Sequence, residues 1–193
     1  MNLFDRFRNW KRKQRWDRQY KKGKWDGLKD PSEAKRYATI IKYMDYSKNP
    51  NPSILDLGCG EGVLNEYLKD NHAYRSFLGI DFSKVSIHKA EQKKFRNAEF
   101  KCADLHFFVP EEKYDIIVFN EAFYYINQKE REKVLMRMAA SLKPGGIFIV
   151  SMYRDAADCW AFFERYTDKI DFTVVETDDV KKYWKVGVLR PKA

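Results

Sequence analysis

The sequence predicts an α/β fold with a mainly parallel sheet, and three observations support this prediction. Short apolar runs alternate with stretches of helical periodicity along residues 53–152. The helical stretches have the length of the crossovers in strand–helix–strand units. The last two apolar runs are joined by a polar stretch too short for a helical crossover, so they are expected to pair antiparallel.

Each predicted strand is a compact apolar run that a turn or a polar residue ends. The predicted strands are Ser53–Leu57, Ser76–Ile80, Glu99–Cys102, Tyr114–Phe119, Gly146–Met152, Phe172–Glu176 and Tyr183–Leu189. The fourth and fifth runs are nearly uninterrupted and rich in β-branched residues, so both faces of these strands are expected to be buried.

Helical patterns fill the connections between these strands and also precede the first one. The predicted helices are Ser32–Tyr46, Glu61–Lys69, Ser83–Phe95, Lys129–Leu142 and Ala156–Lys169. Ser83 and Ser32 are expected to cap their helices, although Lys35 replaces the usual acid of a capping box. The Pro–Gly–Gly run at 144–146 is expected to stop the helix before the fifth strand.

Charge divides the chain into two parts. The 193 residues carry a net charge of +9, but residues 1–24 hold ten basic and only two acidic side chains. The rest of the chain is nearly neutral. We therefore expect a basic helical extension over 1–48 and a neutral catalytic domain over 49–193, separated by the Pro/Asn-rich linker at 49–52.

Composition also excludes several classes of protein. No apolar run reaches the length of a membrane-spanning helix, and the basic start lacks the uncharged core of a signal peptide. Cys59, Cys102 and Cys159 are far apart and odd in number, which argues against disulfides or a zinc site and predicts a cytoplasmic protein. No spacing of ligating residues indicates a metal site.

A glycine-rich turn after the first strand is the strongest chemical signal. It reads Ile-Leu-Asp-Leu-Gly-Cys-Gly-Glu-Gly over residues 54–62. Gly58 and Gly60 let the backbone approach a ligand at the carboxyl end of a strand, where open α/β sheets bind ligands. Asp56, two residues before Gly58, favours a ligand with cationic or amino groups over a pyrophosphate.

Acidic and amide side chains end the next strands. Asp81 follows the second strand, where an acid accepts hydrogen bonds from ribose hydroxyls. Asp104 and Leu105 follow the third strand, and Asn120 and Glu121 follow the fourth. The carboxyl ends of parallel strands meet at one edge of a sheet, so these residues are expected to surround one site.

Together, DLGCGEG, GIDFS, ADL, YDIIVFNEAFYYI and LKPGG resemble the class I S-adenosylmethionine-dependent methyltransferases in order and spacing. The resemblance implies a Rossmann-like, seven-stranded, mainly parallel sheet with an antiparallel last strand. It implies S-adenosyl-L-methionine as cofactor, with the methionine end at Asp56, Gly58 and Gly60, and the ribose at Asp81. The full set of implied cofactor-binding residues is Trp25, Arg36, Asp56, Gly58, Cys59, Gly60, Asp81, Phe82, Asp104, Leu105 and Asn120.

Three side chains are candidates for catalysis. Methyl transfer is an in-line displacement, so the enzyme chiefly aligns donor and acceptor and removes the acceptor's proton. Glu121 is the first candidate, because its carboxylate could take that proton or steer an ammonium group; Tyr125 and His106 are the others. The sequence leaves N-methylation and O-methylation open, and it leaves the oligomeric state open as well.

The predicted acceptor is a small metabolite. The segment 120–126 lacks the Asn/Asp-Pro-Pro-aromatic motif of nucleic-acid base methyltransferases and the two acids of arginine methyltransferases, so no specific nucleic acid is expected. The same segment is similar to the NodS-type enzymes that N-methylate sugars. We expect a sugar- or nucleotide-linked, anionic acceptor; the alternative is an RNA or protein substrate that docks on the basic extension.

The basic extension itself has three competing interpretations. It could be a nucleic-acid-binding arm, a helix in weak contact with an anionic membrane, or a lid over the cofactor. Trp16, Tyr20 and Trp25 favour the lid, because their spacing resembles the segment that closes over cofactor and acceptor in small-molecule methyltransferases. Arg36 would then face the methionine carboxylate, which a guanidinium matches with two hydrogen bonds.

Overall fold

A seven-stranded sheet with helices on both faces organises the chain, of which the computed structural model describes residues 3–71 and 73–192. The strands are β1 Ser53–Leu57, β2 Ser76–Asp81, β3 Ala98–Cys102, β4 Tyr114–Asn120, β5 Leu142–Tyr153, β6 Thr167–Glu176 and β7 Tyr183–Pro191. The α-helices are α1 Leu3–Lys21, α2 Pro31–Met44, α3 Val63–Asn71, α4 Lys84–Gln92, α5 Arg131–Ala140 and α6 Ala157–Tyr166. Short 3-10 helices lie at Asp26–Lys29, Phe123–Tyr125 and Gln128–Glu130.

The strand order is β3-β2-β1-β4-β5-β7-β6. Strand β7 runs antiparallel to both of its neighbours, and the other pairs are parallel, which confirms the predicted fold class. After β1 the chain crosses to β2 on one side and reaches β4 on the other. This reversal opens a crevice at the carboxyl ends of β1 and β4, which is where open α/β sheets hold their ligands.

Two apolar clusters, one on each face of the sheet, form the core. Helices α2, α3 and α4 cover one face, and α5 and α6 cover the other. Tyr37, Ile40 and Met44 of α2 are buried in the first cluster, so this helix shares a core with the sheet. The division at residue 48 stays a prediction. Of the elements before that residue, α1 and the 3-10 helix after it contribute no residue to the buried sets of the two clusters.

Most of the predicted helices and strands are present, with two local errors. Helix α5 ends at Ala140, and the Pro–Gly–Gly run at 144–146 lies inside β5, so it does not stop that helix. Ser83 caps α4 by accepting a hydrogen bond from the Ser86 amide. Ser32 does not cap α2. Asp30 does, because its carboxylate accepts from the Ser32 amide and Pro31 then opens the helix. Among the described residues, no helix is both long and apolar enough to cross a bilayer.

Candidate functional site

A cavity of about 390 Å³ lies at the carboxyl edge of the parallel strands, beneath α1. It is lined by all but one of the residues that the sequence predicted for catalysis or cofactor binding: Trp25, Arg36, Gly58, Cys59, Gly60, Asp81, Phe82, Asp104, Leu105, His106, Asn120, Glu121 and Tyr125. The exception, Asp56, lies within β1, is fully buried and does not reach the cavity wall.

The glycine-rich turn leaves no room for side chains. Gly58 and Gly60 have φ angles of +83° and +57°, and a Cβ on Gly58 would lie 2.6 Å from the Ala122 Cβ. At Gly60 the added carbon would lie 2.8 Å from the Tyr20 hydroxyl of α1. The turn is therefore a backbone surface between α1 and the loop after β4, as close approach to a ligand requires.

Asp81 is held at the edge of the cavity by backbone donors. Its carboxylate accepts hydrogen bonds from the Gly60 amide at 3.1 Å and the Ser83 amide at 2.8 Å. Burial raises its pKa above the ordinary value, and these donors oppose that effect. The side chain thus faces the cavity with its position fixed by the turn and by the start of α4.

Asp56 is the least satisfied acid of the site. Neither of its carboxylate oxygens has a hydrogen-bond partner among the described residues. Burial raises its pKa to about 8, the neighbouring Asp81 adds to the rise, and the Arg36 charge opposes it. At neutral pH we therefore expect Asp56 to be largely protonated in the absence of further charges.

Arg36 occupies the centre of a buried polar cluster. Its guanidinium donates to the Glu33 carboxylate at 3.0 and 2.8 Å and also to the Asn120 side-chain oxygen. The guanidinium carbon lies 4.4 Å from the ring centre of Tyr37 and 5.3 Å from that of Trp184. These contacts fix the Arg36 side chain, which projects from α2, against Asn120 of β4 and Trp184 of β7.

Glu121 follows β4 in a left-handed conformation, with φ of +57°. Such a backbone costs energy for a residue other than glycine and is typical of functional sites. Its carboxylate accepts from the Tyr124 hydroxyl at 2.6 Å, the Tyr153 amide at 3.1 Å and the Ser151 hydroxyl at 3.2 Å. Burial raises the pKa of Glu121, while the Arg36 charge lowers it.

The other two catalytic candidates, His106 and Tyr125, differ from Glu121 in their surroundings. The Asn127 amide donates to Nε2 of His106 at 3.1 Å, so Nδ1 carries the proton and donates to Asp104 at 2.6 Å. Both ring nitrogens are therefore engaged in holding the loop after β3. Tyr125 is 37% exposed at the cavity mouth, and its carbonyl oxygen accepts a hydrogen bond from Arg12.

Helix α1 covers the cavity. The Ser83 hydroxyl donates to Asp17 at 2.6 Å, which ties the helix to α4. The Trp16 ring is stacked on that of Trp25, with ring centres 4.5 Å apart. It also makes edge-on contacts with Phe82 and Tyr125, whose ring centres lie 5.9 Å and 5.1 Å from its own. An aromatic roof thus spans the cavity from the end of β2 to the loop after β4.

Several lining residues were not among the predicted site residues, and four of them form the wall next to α2 and β7: Glu33, Tyr153, Lys182 and Trp184. The Lys182 ammonium lies 3.1 Å from Glu33 and donates to the Ser32 hydroxyl at 2.7 Å, so it connects α2 with the loop before β7. One signal was available. An antiparallel β7 must begin at the edge where the parallel strands end, which places Trp184 beside the cavity.

Comparison with known proteins identifies a methyltransferase domain. Residues 54–146 match the family model described as a methyltransferase domain. The malonyl-[acyl-carrier protein] O-methyltransferase of Bacillus cereus is 30% identical over 61% of this chain and 47% of its own length. The ribosomal protein L11 methyltransferase of Burkholderia orbicola is 30% identical over 66% of this chain and 41% of its own length. The chain thus spans less than half the length of these curated relatives.

A solved structure gives the same fold. The N-methyltransferase NodS from Bradyrhizobium japonicum WM9, crystallised with S-adenosyl-L-homocysteine, superposes with a TM-score of 0.74 and 21% identity. The match covers 86% of this chain and 91% of NodS, and at this identity it supports the fold alone. The family model, the strand order and the glycine-rich turn agree: residues 54–146 form a methyltransferase domain, and the sheet has the class I S-adenosylmethionine-dependent methyltransferase fold.

Proposed function

We propose that this protein is an enzyme that uses S-adenosyl-L-methionine to methylate a nitrogen or oxygen of a small acceptor, sugar- or nucleotide-linked and anionic. The observation that carries the proposal is the cavity beneath α1, which is lined by a glycine-rich backbone surface and by the carboxylates Asp81 and Glu121. The cysteines are all free, in keeping with the proposed cytoplasmic location.

The residues present fit the cofactor. Side chains at positions 58 and 60 would collide with Ala122 and Tyr20, so the turn suits a ligand lying against bare backbone. Asp81 offers a carboxylate for ribose hydroxyls, and the buried Trp25 Nε1 has no hydrogen-bond partner among the described residues. When bound, the cofactor supplies an electrophilic methyl group on a positively charged sulfur.

Glu121 and Tyr124 are proposed to handle the acceptor's proton. The Tyr124 hydroxyl lines the cavity and donates to Glu121 at 2.6 Å. An acceptor hydroxyl or ammonium could therefore give its proton to the Tyr124 oxygen while that residue passes its own proton to Glu121. The raised pKa of Glu121 brings this carboxylate closer to the working pH, which favours general-base catalysis.

Radiolabelled methyl transfer tests this proposal. The protein is incubated with methyl-labelled S-adenosyl-L-methionine and an extract of the cells that make it, separated into small-molecule, RNA and protein fractions. We expect label in the small-molecule fraction, and its loss with Glu121→Gln. Label confined to the RNA or protein fraction would contradict the proposed acceptor class.

A macromolecular acceptor is the second candidate. The exposed cations of α1 favour it, as does the similarity to a methyltransferase that is named for a ribosomal protein. It predicts that deleting residues 1–15 removes activity on RNA or protein, and that binding weakens steeply with added salt. A truncated protein that keeps full activity on such a substrate would exclude docking through α1.

A further inference from the structure

Helix α1 has two sides, one that lines the cavity and one that is exposed. Arg12, Trp16, Asp17 and Tyr20 face the cavity and its rim. The opposite side, which we call the outer face, is exposed at every position: Phe7, Trp10, Lys11, Gln14, Arg15, Arg18 and Lys21. These positions follow helical spacing and fall on one continuous strip.

The chemistry of the outer face changes along the helix. Phe7 and Trp10, at its beginning, are 53% and 55% exposed, and their rings are stacked with centres 5.9 Å apart. The Lys11 ammonium lies 4.7 Å from the Phe7 ring centre. From there to the end of α1 the charged side chains on the strip are all basic. Within the described residues, Lys11, Arg15, Arg18 and Lys21 form no salt bridge.

This arrangement suits the surface of an anionic bilayer. The free energy falls when exposed Phe and Trp rings enter the boundary between headgroups and acyl chains, and Lys and Arg beside them contact lipid phosphates. A groove for single-stranded RNA would place aromatic rings between the cations along the strand, where bases can stack. Here both rings lie at one end and stack on each other.

We infer that the outer face of α1 docks on membranes that contain anionic phospholipid. Phe7 and Trp10 enter the interfacial region, and Arg15, Arg18 and Lys21 bind headgroup phosphates. This inference is independent of the proposed methyl transfer. Because the inner side of the same helix roofs the cavity, docking holds the cavity mouth beside the bilayer, where a lipid-linked anionic acceptor would be accessible.

Vesicle flotation of the full chain tests the inference. The vesicles are pure phosphatidylcholine, or phosphatidylcholine with about one third phosphatidylglycerol. We expect binding to the anionic vesicles only, reduced by added salt. Binding should fall about tenfold or more both in Arg15→Glu/Arg18→Glu and in Phe7→Ser/Trp10→Ser. The matched control, Lys113→Glu/Lys133→Glu, changes charge equally at exposed positions away from α1 and should bind nearly as well as wild type.

Three results would overturn the inference. One is the absence of binding to anionic vesicles by the wild-type protein. Another is an equal loss of binding in the Lys113/Lys133 control, which would mean that the change in net charge alone explains the loss of vesicle binding. The third is full vesicle binding by Phe7→Ser/Trp10→Ser while affinity for a fluorescent oligo-uridine falls, which would indicate a nucleic-acid surface. Unchanged circular dichroism and S-adenosyl-L-homocysteine binding verify that each variant is folded.

Discussion

The two halves of the cavity differ in how their polar groups are satisfied. We call the glycine-rich turn and Asp81, together with the fully buried Asp56, the cofactor half, and Glu121 with Lys182 the acceptor half. Arg36, the predicted partner of the methionine carboxylate, lies between the two halves, because its charge acts on both Asp56 and Glu121. In the cofactor half, both Asp56 oxygens and the Trp25 indole nitrogen have no hydrogen-bond partner among the described residues. In the acceptor half, Glu121 accepts from three donors, and Lys182 is paired with Glu33, which also pairs with Arg36 between the two halves.

This difference indicates two modes of ligand recognition. An unpartnered buried acid destabilises the free protein and is relieved when a ligand brings hydrogen-bond donors or positive charge nearby. A fully paired carboxylate is instead fixed in place before any ligand arrives, as catalytic groups must be. The cofactor half should therefore respond to ligand by gaining stability, and the acceptor half should keep its geometry.

The largest effect is expected from Gly58→Ala. The added Cβ would lie 2.6 Å from the Ala122 Cβ, at a φ of +83°, so the turn must shift out of the cofactor half. Binding of S-adenosyl-L-homocysteine, measured by calorimetry, should be lost. Gly145→Ala is the matched control, because Gly145 has a φ of +78° with no atom within 4 Å of an added Cβ. That variant should lose about 1–2 kcal/mol of stability but retain binding.

Glu121→Gln should distinguish the roles of the two halves most clearly, because it should slow methyl transfer without weakening cofactor binding. The amide keeps the shape of the side chain but cannot accept a proton, so methyl transfer should slow by about 10²–10⁴-fold. Binding of S-adenosyl-L-homocysteine should stay within a few-fold of wild type, because Glu121 lies outside the cofactor half. A variant that transfers methyl groups normally would remove Glu121 from proton transfer.

Asp56→Asn should change how stability depends on pH. The folded-state pKa of Asp56 is raised to about 8 by burial, so its stabilising contribution is complete at pH below the unfolded-state pKa and is lost as pH rises through 8. Across that window the wild-type free energy of unfolding should fall by up to about 1.4 kcal/mol per pH unit, and the variant should lack this slope. Urea unfolding at several pH values measures both. Equal slopes in the two proteins would contradict the raised pKa.

The smallest effect is expected from Asp17→Ala, which removes one of the hydrogen bonds between α1 and α4 and leaves the bond from Lys89 to the Tyr20 carbonyl in place. A single hydrogen bond from the Ser83 hydroxyl is lost, so dissociation of S-adenosyl-L-homocysteine should become about 3- to 10-fold faster. Gln14→Ala, on the outer face of the same helix, serves as the control. If both variants release the ligand at the wild-type rate, α1 does not act as a roof that retains it.

The same comparison explains what could be predicted from the sequence. The cofactor half is built from residues adjacent in the chain to the ends of β1, β2 and β3, so strand prediction and glycine spacing were enough to find Gly58, Asp81 and Asp104. The seven-stranded, mainly parallel sheet also followed from the family resemblance, and the antiparallel β7 followed from the short connection before it. These features depend on local sequence or on family resemblance.

The acceptor half depends on contacts between distant segments. Glu33, Lys182 and Trp184 meet across about 150 residues of chain, as the hydrogen bond from Lys182 to Ser32 shows. No local pattern specifies which loop approaches α2, so these residues were missed. The roles of Tyr124 and His106 likewise depended on loop geometry. His106 binds Asp104 and the Asn127 amide with its two ring nitrogens, and Tyr124 is the tyrosine that reaches Glu121.

Calorimetry with S-adenosyl-L-homocysteine tests the central claim most directly. We expect saturable one-to-one binding by the wild-type chain and affinity reduced about 100-fold in Asp81→Ala, because two charge-assisted hydrogen bonds to ribose would be lost. Glu121→Gln, measured alongside, should bind as the wild type does. A folded wild-type protein that binds neither S-adenosyl-L-homocysteine nor S-adenosyl-L-methionine, or an Asp81→Ala variant with unchanged affinity, would contradict it.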